Sequence, residues 1–397
     1  MTFRSHKQRL RLLTAWLVLA LLVPSGPAAG REAPLADIPT KGSGRPTAVL
    51  LHGVDAPDGR TRELGSALAL GLGDPDSVMA VILGSPERGD DHFHARFEAL
   101  RTAWGDDSPV AVVADGESAF AFVRKYREDL FAQASVFYCG MSAPAPEYLL
   151  QCGDCTGLAE AEDVAATVEL LFRLRPRTRL VVGIADGSAE AAQRMLAAKA
   201  AMTEAQTVDA YETARAGMIF PGHEPGDDQG LTLAGLRGAA HGVPASGGAV
   251  LFLGFASDAQ GEPVDEAEAV AMFAARSAGP VFGLTERHLG AGVACVVTVP
   301  ARDLGHALAG LILRAQAGEP VREMLPEPLS PRPVIDMATL ARFGVQAANL
   351  PQNALVLNEV DRPDETAEAL PVGLGMATLA VAGLAGLYLL LRRLASR

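Results

Sequence analysis

The sequence predicts an α/β protein of two doubly wound, parallel-sheet lobes, with one transmembrane helix at its C-terminal end. Three observations carry that expectation. Short runs rich in Val, Ile, Leu and Phe alternate with stretches of helical period through most of the 397 residues. Some nine such runs fall into two series, too many for one flavodoxin-like sheet. Residues 371–391 then form a stretch of 21 without a charge, enough at about 1.5 Å per residue to cross about 30 Å of hydrocarbon.

The first series opens with a strand at 48–52 and a helix at 61–72. A strand at 78–83 with a helix at 91–104 follows, then a strand at 110–114 with a helix at 118–130, and a strand at 135–139 closes the series. A helix at 163–174 begins the second series. It continues with strand 180–184, helix 188–205, strand 217–220, helix 231–241, strand 249–255 and helix 265–276. Strands at 281–284 and 292–298, a helix at 302–317 and a shorter closing stretch at 333–360 complete it. Strands separated by helices imply right-handed crossovers and parallel sheets covered on both faces.

The two ends suggest where the chain resides. Residues 1–30 carry Arg4, Lys7, Arg9 and Arg11, then an apolar run at about 12–23 and small residues ending Ala28-Ala29-Gly30. This is the pattern of a secretory signal peptide. Arg392 and Arg393 follow the apolar C-terminal stretch directly, which orients the tail at 392–397 toward the cytoplasm. The expected topology is a single pass through a bacterial inner membrane, with the main domain in the periplasm. Thr378, Ala382 and Gly386 recur every four residues and offer a small face for a homodimer through this helix.

Charge narrows the partners. Seven of the 34 Lys and Arg lie in residues 1–30 and 392–397, which leaves 27 against 47 Asp and Glu, a net −20 for the body of the chain. A body so acidic is repelled by phosphate backbones, so nucleic acid is not an expected partner.

Enzyme and metal motifs mostly fail. Val49-Leu50-Leu51-His52-Gly53 looks like the oxyanion loop of an α/β-hydrolase, but the nearest nucleophile elbow, Gly140-Met141-Ser142-Ala143-Pro144, ends in Pro where Gly is required. Asp258 and His288 are arbitrary choices as its partners. No phosphate-binding glycine loop is present. Asp90, Asp91, His92 and His94 read as a charged helix start, because residues two apart point to different sides of a helix. Cys152-Gly-Asp-Cys155 fits a redox pair, half a zinc site, a local disulfide or two idle thiols; its place in a Gly/Asp turn favours the last two. Cys139 and Cys295 lie in apolar strands and read as core. No cofactor or metal is expected, and the chain reads as a non-enzyme, with a tethered hydrolase or thiol-disulfide enzyme as the alternative.

In doubly wound sheets, ligands gather at the loops beyond the carboxyl ends of the strands. The candidates there are Gly53 and Asp55, Asp115 and Gly116, Gly140 and Met141, Asp186, Ser257, and Thr285 with Glu286. The same residue types are good helix N-caps, so each position carries both readings.

A set of short segments resembles a known family. They are Thr156-Gly157-Leu158; Glu162-Asp163 with Thr167-Val168-Glu169-Leu170; Arg175-Pro176-Arg177-Thr178 leading into Leu180-Val181-Val182; and Val136-Phe137-Tyr138-Cys139-Gly140. Pro280-Val281-Phe282-Gly283-Leu284, Leu289-Gly290-Ala291-Gly292, Arg342-Phe343-Gly344, Leu350-Pro351 and Val356-Leu357-Asn358 complete the set. In order and spacing they are similar to the ABC-transporter substrate-binding-protein-like family of type I periplasmic binding folds, including the extracytoplasmic sensor domains of membrane-anchored signalling proteins. The Cys152–Cys155 turn departs from the pattern, and an output domain after the apolar stretch, usual in the signalling members, is not expected. The resemblance implies a solute-binding protein, closing on a small ligand such as an amino acid by a hinge, that serves an inner-membrane transporter or a separate sensor kinase. It also implies one lobe of 46–155 plus 282–330 and another of 157–280 plus 331–360, with crossings at Thr156-Gly157 and near Phe282 and a juxtamembrane linker at 361–370.

Overall fold

The computed structural model describes residues 46–358 except 86–87, 105–108, 153, 161, 208–215, 224–229, 327 and 346–348. The expected signal peptide, linker, transmembrane helix and tail lie outside the described residues. Among the described residues no helix is long and apolar enough to cross a membrane. These residues divide into two units, one within Met1–Glu162 and Thr298–Pro331, the other within Asp163–Val297 and Arg332–Arg397.

The first unit is built on β1 (Ala48–His52), β2 (Val78–Ile82), β3 (Ala111–Asp115), β4 (Ser135–Cys139) and β5 (Cys155–Gly157), in the order β2-β1-β3-β4-β5. All its pairings are parallel, and β1 runs in register with both neighbours. Every residue of β1 and β3 is buried, as a strand covered by helices on both faces must be. Helices α1 (Gly59–Leu72), α2 (Gly89–Trp104), α3 (Glu117–Lys125), α4 (Arg127–Leu130) and α5 (Pro146–Cys152) connect these strands. Asp58 starts α1 through a capping box with Thr61.

A later segment completes this unit. Helix α10 (Ala301–Gln316; α6 to α9 belong to the second unit) lies against α1. Its buried Leu304, Leu308 and Ile312 join the core around Leu64 and Leu68, each such side chain contributing about 2 kcal/mol. The approach is close enough to require glycine: a Cβ on Gly305 would stand 2.6 Å from Ala67 Cβ and 2.8 Å from the Leu64 carbonyl oxygen.

The second unit holds β6 (Leu180–Ile184), β7 (Gly217–Ile219), β8 (Gly248–Phe252), β9 (Val281–Gly283), β10 (Val293–Thr298), β11 (Arg332–Asp336) and β12 (Leu355–Leu357). Their order is β12-β11-β10-β9-β8-β6-β7. Counted from its own first strand, this sheet repeats the 2-1-3-4-5 order of the first unit and adds two strands. Helices α6 (Val164–Leu174), α7 (Ala189–Ala205), α8 (Leu233–His241), α9 (Glu266–Ala274) and α11 (Met337–Ala341) pack around it. Side-chain caps from Asp163, Ser188, Thr232, Asp265 and Asp336 start these five helices.

The expected crossings move. Thr156 and Gly157 lie in the edge strand β5 of the first unit, and the chain passes to the second unit after Glu162. The Phe282 region is likewise not a crossing: β9 and β10 both complete the second sheet, and the return falls between Val297 and Thr298. The physical reason is pairing. Cys155, Thr156 and Gly157 pair with Val136, Phe137 and Tyr138, and β9 pairs with β8 and β10, which ties each segment to its own sheet. The expected helix at 118–130 breaks into α3 and α4 at Tyr126, and α5 forms where a turn was expected.

Candidate functional site

A 2-1-3-4-5 sheet reverses its winding between the first and third strands, and the loops leaving their carboxyl ends diverge there. In the first unit these strand ends are His52 and Asp115, paired in register. His52 Nδ1 lies 2.8 Å from Asp115 Oδ2, with both side chains fully buried. Arg60, from the first turn of α1, reaches under the loops and donates from Nη1 to Asp115 Oδ1 at 2.7 Å and from Nη2 to Glu160 Oε1 at 3.0 Å. Burial disfavours the guanidinium's charge, but Asp115 and Glu160 outweigh it and hold Arg60 well above its ordinary range.

This chain of charges shapes the edge. The Gly53 N–H donates to the Asp115 carbonyl at 3.0 Å, and Gly116 N–H to that of Cys139 at 2.9 Å. Glu160 holds the next loop from two sides: its carboxylate accepts from Gly140 N–H at 2.5 Å, and its own N–H donates to the Met141 carbonyl at 2.9 Å. Gly140 has φ 69°, and a Cβ there would stand 2.1 Å from Asp115 Oδ1. Only glycine lets this loop lie on the buried carboxylate. Asp55 stands outside the network. It accepts from Ser85 N–H at 3.0 Å, Ser85 Oγ at 2.9 Å and Arg88 Nε at 2.8 Å, joining the loops after β1 and β2. Slight burial raises its pKa, but these donors outweigh it and hold the carboxyl below its usual value.

The second unit uses a similar device. Asp186, buried just past β6, accepts from Ser188 N–H at 2.9 Å and from Ala256 N–H at 3.0 Å, and so joins the loops after β6 and β8. Glu266 accepts from Phe255 N–H at 2.8 Å and lies 3.2 Å from His288 Nε2, while Arg194 donates to the Leu253 carbonyl at 3.0 Å. Burial alone would raise the Glu266 carboxyl, yet His288, Phe255 and Arg194 together hold it below its ordinary value. Thr285 caps the short turn after β9, accepting from Arg287 N–H at 3.3 Å, and Glu286 in that turn is buried. Ser257 is half-buried and bridges to Pro263.

The structure therefore sorts the sequence candidates. Gly53, Asp55, Asp115, Gly116, Gly140 and Met141 gather at one sheet edge, and Asp186, Ser257, Thr285 and Glu286 at the other. Asp115 and Asp186 are buried and hold loops. Arg60, Glu160, Glu266 and Arg194 carry no motif and escape sequence reasoning, since their partners lie far along the chain. His52 Nδ1 pairs with Asp115, and His288 Nε2 with Glu266. Cys152 and Cys155 are free thiols, so the local disulfide is not the form seen here. Among the described residues, no group of three or more His, Cys, Asp or Glu is placed to hold a metal ion. A cavity of about 440 Å³ opens between α2 and α3, lined by Asp90, Phe93, Phe122, Lys125 and Tyr126 among others; it includes none of the edge residues.

No protein family model matches this chain, and no curated protein matches it in sequence. Solved structures do match. An ABC domain from Streptococcus pneumonia, crystallised in complex with L-Trp, aligns with a TM-score of 0.50 and 15% identity over 78% of this chain and 100% of that one. A substrate-binding protein with adhesive properties from Clostridium difficile, in a ligand-free, open structure, aligns with a TM-score of 0.50 and 10% identity over 78% and 98%. At these identities the likeness is one of fold: the chain has the α/β architecture of type I periplasmic binding proteins, with two parallel sheets.

Proposed function

We propose that the chain is an extracytoplasmic solute-binding protein that takes up a small ligand, such as an amino acid, at the carboxyl-end loops of its sheets. In this reading residues 371–391 tether it to the inner membrane, and it serves a transporter or a separate sensor kinase. The carrying observation is the pair of buried networks, Asp115 with Arg60 and Glu160 in one unit and Asp186 in the other. Each spends buried charge to fix the loops at the carboxyl edge of a sheet. Burying ions is costly, and an edge with no task gains nothing from loops held so firmly.

The ligand's chemistry follows from what those loops offer. With Asp115 and Asp186 turned inward and the N–H groups of Gly53, Gly116 and Gly140 bonded to Asp115, Cys139 and Glu160, recognition falls to the side chains of these loops. Ser257, Thr285 and Met141 supply hydroxyl and thioether contacts. The L-Trp bound by a protein of the same fold supports an amino-acid class. Thermal-shift screening of the full chain in detergent against amino acids, sugars and related metabolites tests this. A ligand at a hundred times its Kd adds about 2.7 kcal/mol to the stability of the state it binds. Saturable stabilisation by an unchanged small solute is expected; silence across all classes at millimolar concentration rejects the reading.

A further inference from the structure

We propose that the arginine-rich amino edge of the second unit is a docking surface for the anionic lipid headgroups of the membrane that residues 371–391 enter. The inference rests on the tethered reading of that stretch. Its first support is in the sequence. Arg173-Leu174-Arg175-Pro176-Arg177-Thr178-Arg179 places an arginine at every second position between α6 and β6. Leu174 and Thr178 are buried, whereas Arg173, Arg177 and Arg179 are exposed. The run is also held in shape. Thr178 donates to the Arg175 carbonyl twice, from its N–H at 3.0 Å and from Oγ1 at 2.8 Å. Arg179 N–H donates to the Gly247 carbonyl at 2.7 Å, beside the start of β8. Arg175 donates from Nη1 to the Phe343 carbonyl at 2.8 Å, which brings up Arg342, exposed at the end of α11.

Charge is sorted by edge in this unit. The connections entering β6, β8 and β9, at 175–179, 242–247 and 275–280, hold four arginines and no acid. Those leaving the same strands, at 185–188, 253–265 and 284–292, hold five acids and one arginine. Cations near helix C-termini offset the helix dipole, which accounts for Arg173 and Arg175. That effect fades beyond the last turn and does not reach Arg177 and Arg179. Guanidinium groups match phosphate through paired hydrogen bonds. Because the body of the chain is acidic, an anionic bilayer repels most of its surface and turns this edge toward itself.

The chain is long enough for this. Residues 359–370 separate β12 from the uncharged stretch and span up to about 40 Å when extended. A strand of five residues is about 17 Å long, so a chain leaving β12 at the carboxyl edge can pass to the amino edge. With the arginines on the bilayer, the carboxyl-end loops of the second sheet face away from it, open to a solute.

The test places the full chain in lipid nanodiscs of phosphatidylcholine alone, or of phosphatidylcholine mixed with phosphatidylglycerol. Phenylglyoxal then labels accessible arginines, read residue by residue by mass spectrometry. Labelling of Arg173, Arg177, Arg179 and Arg342 should slow in the anionic discs, while that of the exposed Arg62 in the first unit stays unchanged. Salt at about 1 M, where screening acts over about 3 Å, should restore it. Each arginine at an anionic surface multiplies binding about fivefold. Arg177→Gln combined with Arg179→Gln should therefore lower the docked-to-free ratio, read at Arg173 and Arg342, about twenty-five-fold. An unchanged melting temperature separates this effect from misfolding. Equal labelling in the two lipids, by a chain that enters both discs, overturns the proposal and leaves the tether standing. Slow labelling in both lipids, released by neutralising Glu359, Asp361, Asp364, Glu365 and Glu368, overturns it by assigning the arginines to the chain's own acids. A chain that enters neither disc removes the tether and the proposal together.

Discussion

Replacing Arg60 with Met removes the cation that holds two carboxylates at the edge of the first sheet. The side-chain volume is nearly kept, so the loss is electrostatic. Arg60 is 4% exposed and Asp115 is fully buried, and without the guanidinium Asp115 keeps its contacts to His52 and the Cys139 thiol but loses this buried cation. Removing one partner of a buried ion pair costs about 3–5 kcal/mol, because the remaining charge stays desolvated. Against a total stability of about 5–15 kcal/mol for a domain, that is a large fraction. Urea unfolding measures it, with amide exchange over β1 and β3 assigning the transition to the first unit, since a chain of two units need not unfold in one step. Arg60→Met combined with Asp115→Asn should cost less than the sum of the two single changes, because the double variant leaves no charge stranded at position 115. A loss under about 1 kcal/mol for Arg60→Met, or full additivity in the cycle, would refute the claim that the pair organises this edge.

Other consequences are independent of that network. Gly305→Val places a branched side chain where even a Cβ meets Ala67 at 2.6 Å; it should lower stability by about 1–3 kcal/mol and expose α10 to proteolysis. Gly140→Ala combines a left-handed φ of 69° with a Cβ 2.1 Å from the Asp115 carboxylate, and should lower the melting temperature and weaken solute binding together in a thermal-shift assay. Glu266 has its carboxyl held below the ordinary value of about 4.5, so its contribution is complete above that pH and is lost as pH falls through the folded-state value. Glu266→Gln should therefore flatten the acid side of the stability profile for the second unit, read by thermal melts between pH 3 and pH 7.

The fold was legible because doubly wound sheets write themselves plainly. Fully buried strands such as Ala48–His52 and Gly248–Phe252 read as unbroken apolar runs, and caps such as Asp163 and Ser188 mark where the helices start. What escaped were short elements fixed by tertiary pairing. β5 has three residues, one of them a glycine, and only its ladder to β4 makes it a strand. The units' boundaries escaped for the same reason, since a passage between sheets leaves no local signature. At the carboxyl-end loops, the sequence displays the acids but not what they hold. Asp115 was visible as the acid ending a strand, but nothing near it in sequence announces Arg60, 55 residues earlier, or the Glu160 that shares the same guanidinium. Gly140 shows the opposite case: its turn was legible, while the need for glycine comes from a carboxylate 25 residues away.

Hydrogen–deuterium exchange of the full chain, with and without the solute found by screening, tests the central claim most directly. Protection should appear at the carboxyl-end loops of both sheets, at 53–55, 115–116 and 140–141 in one unit and 186–188, 256–257 and 285–287 in the other, with the solute recovered chemically unchanged. Protection confined to helix faces such as the α2–α3 cavity, or a solute returned with a bond broken, would contradict it.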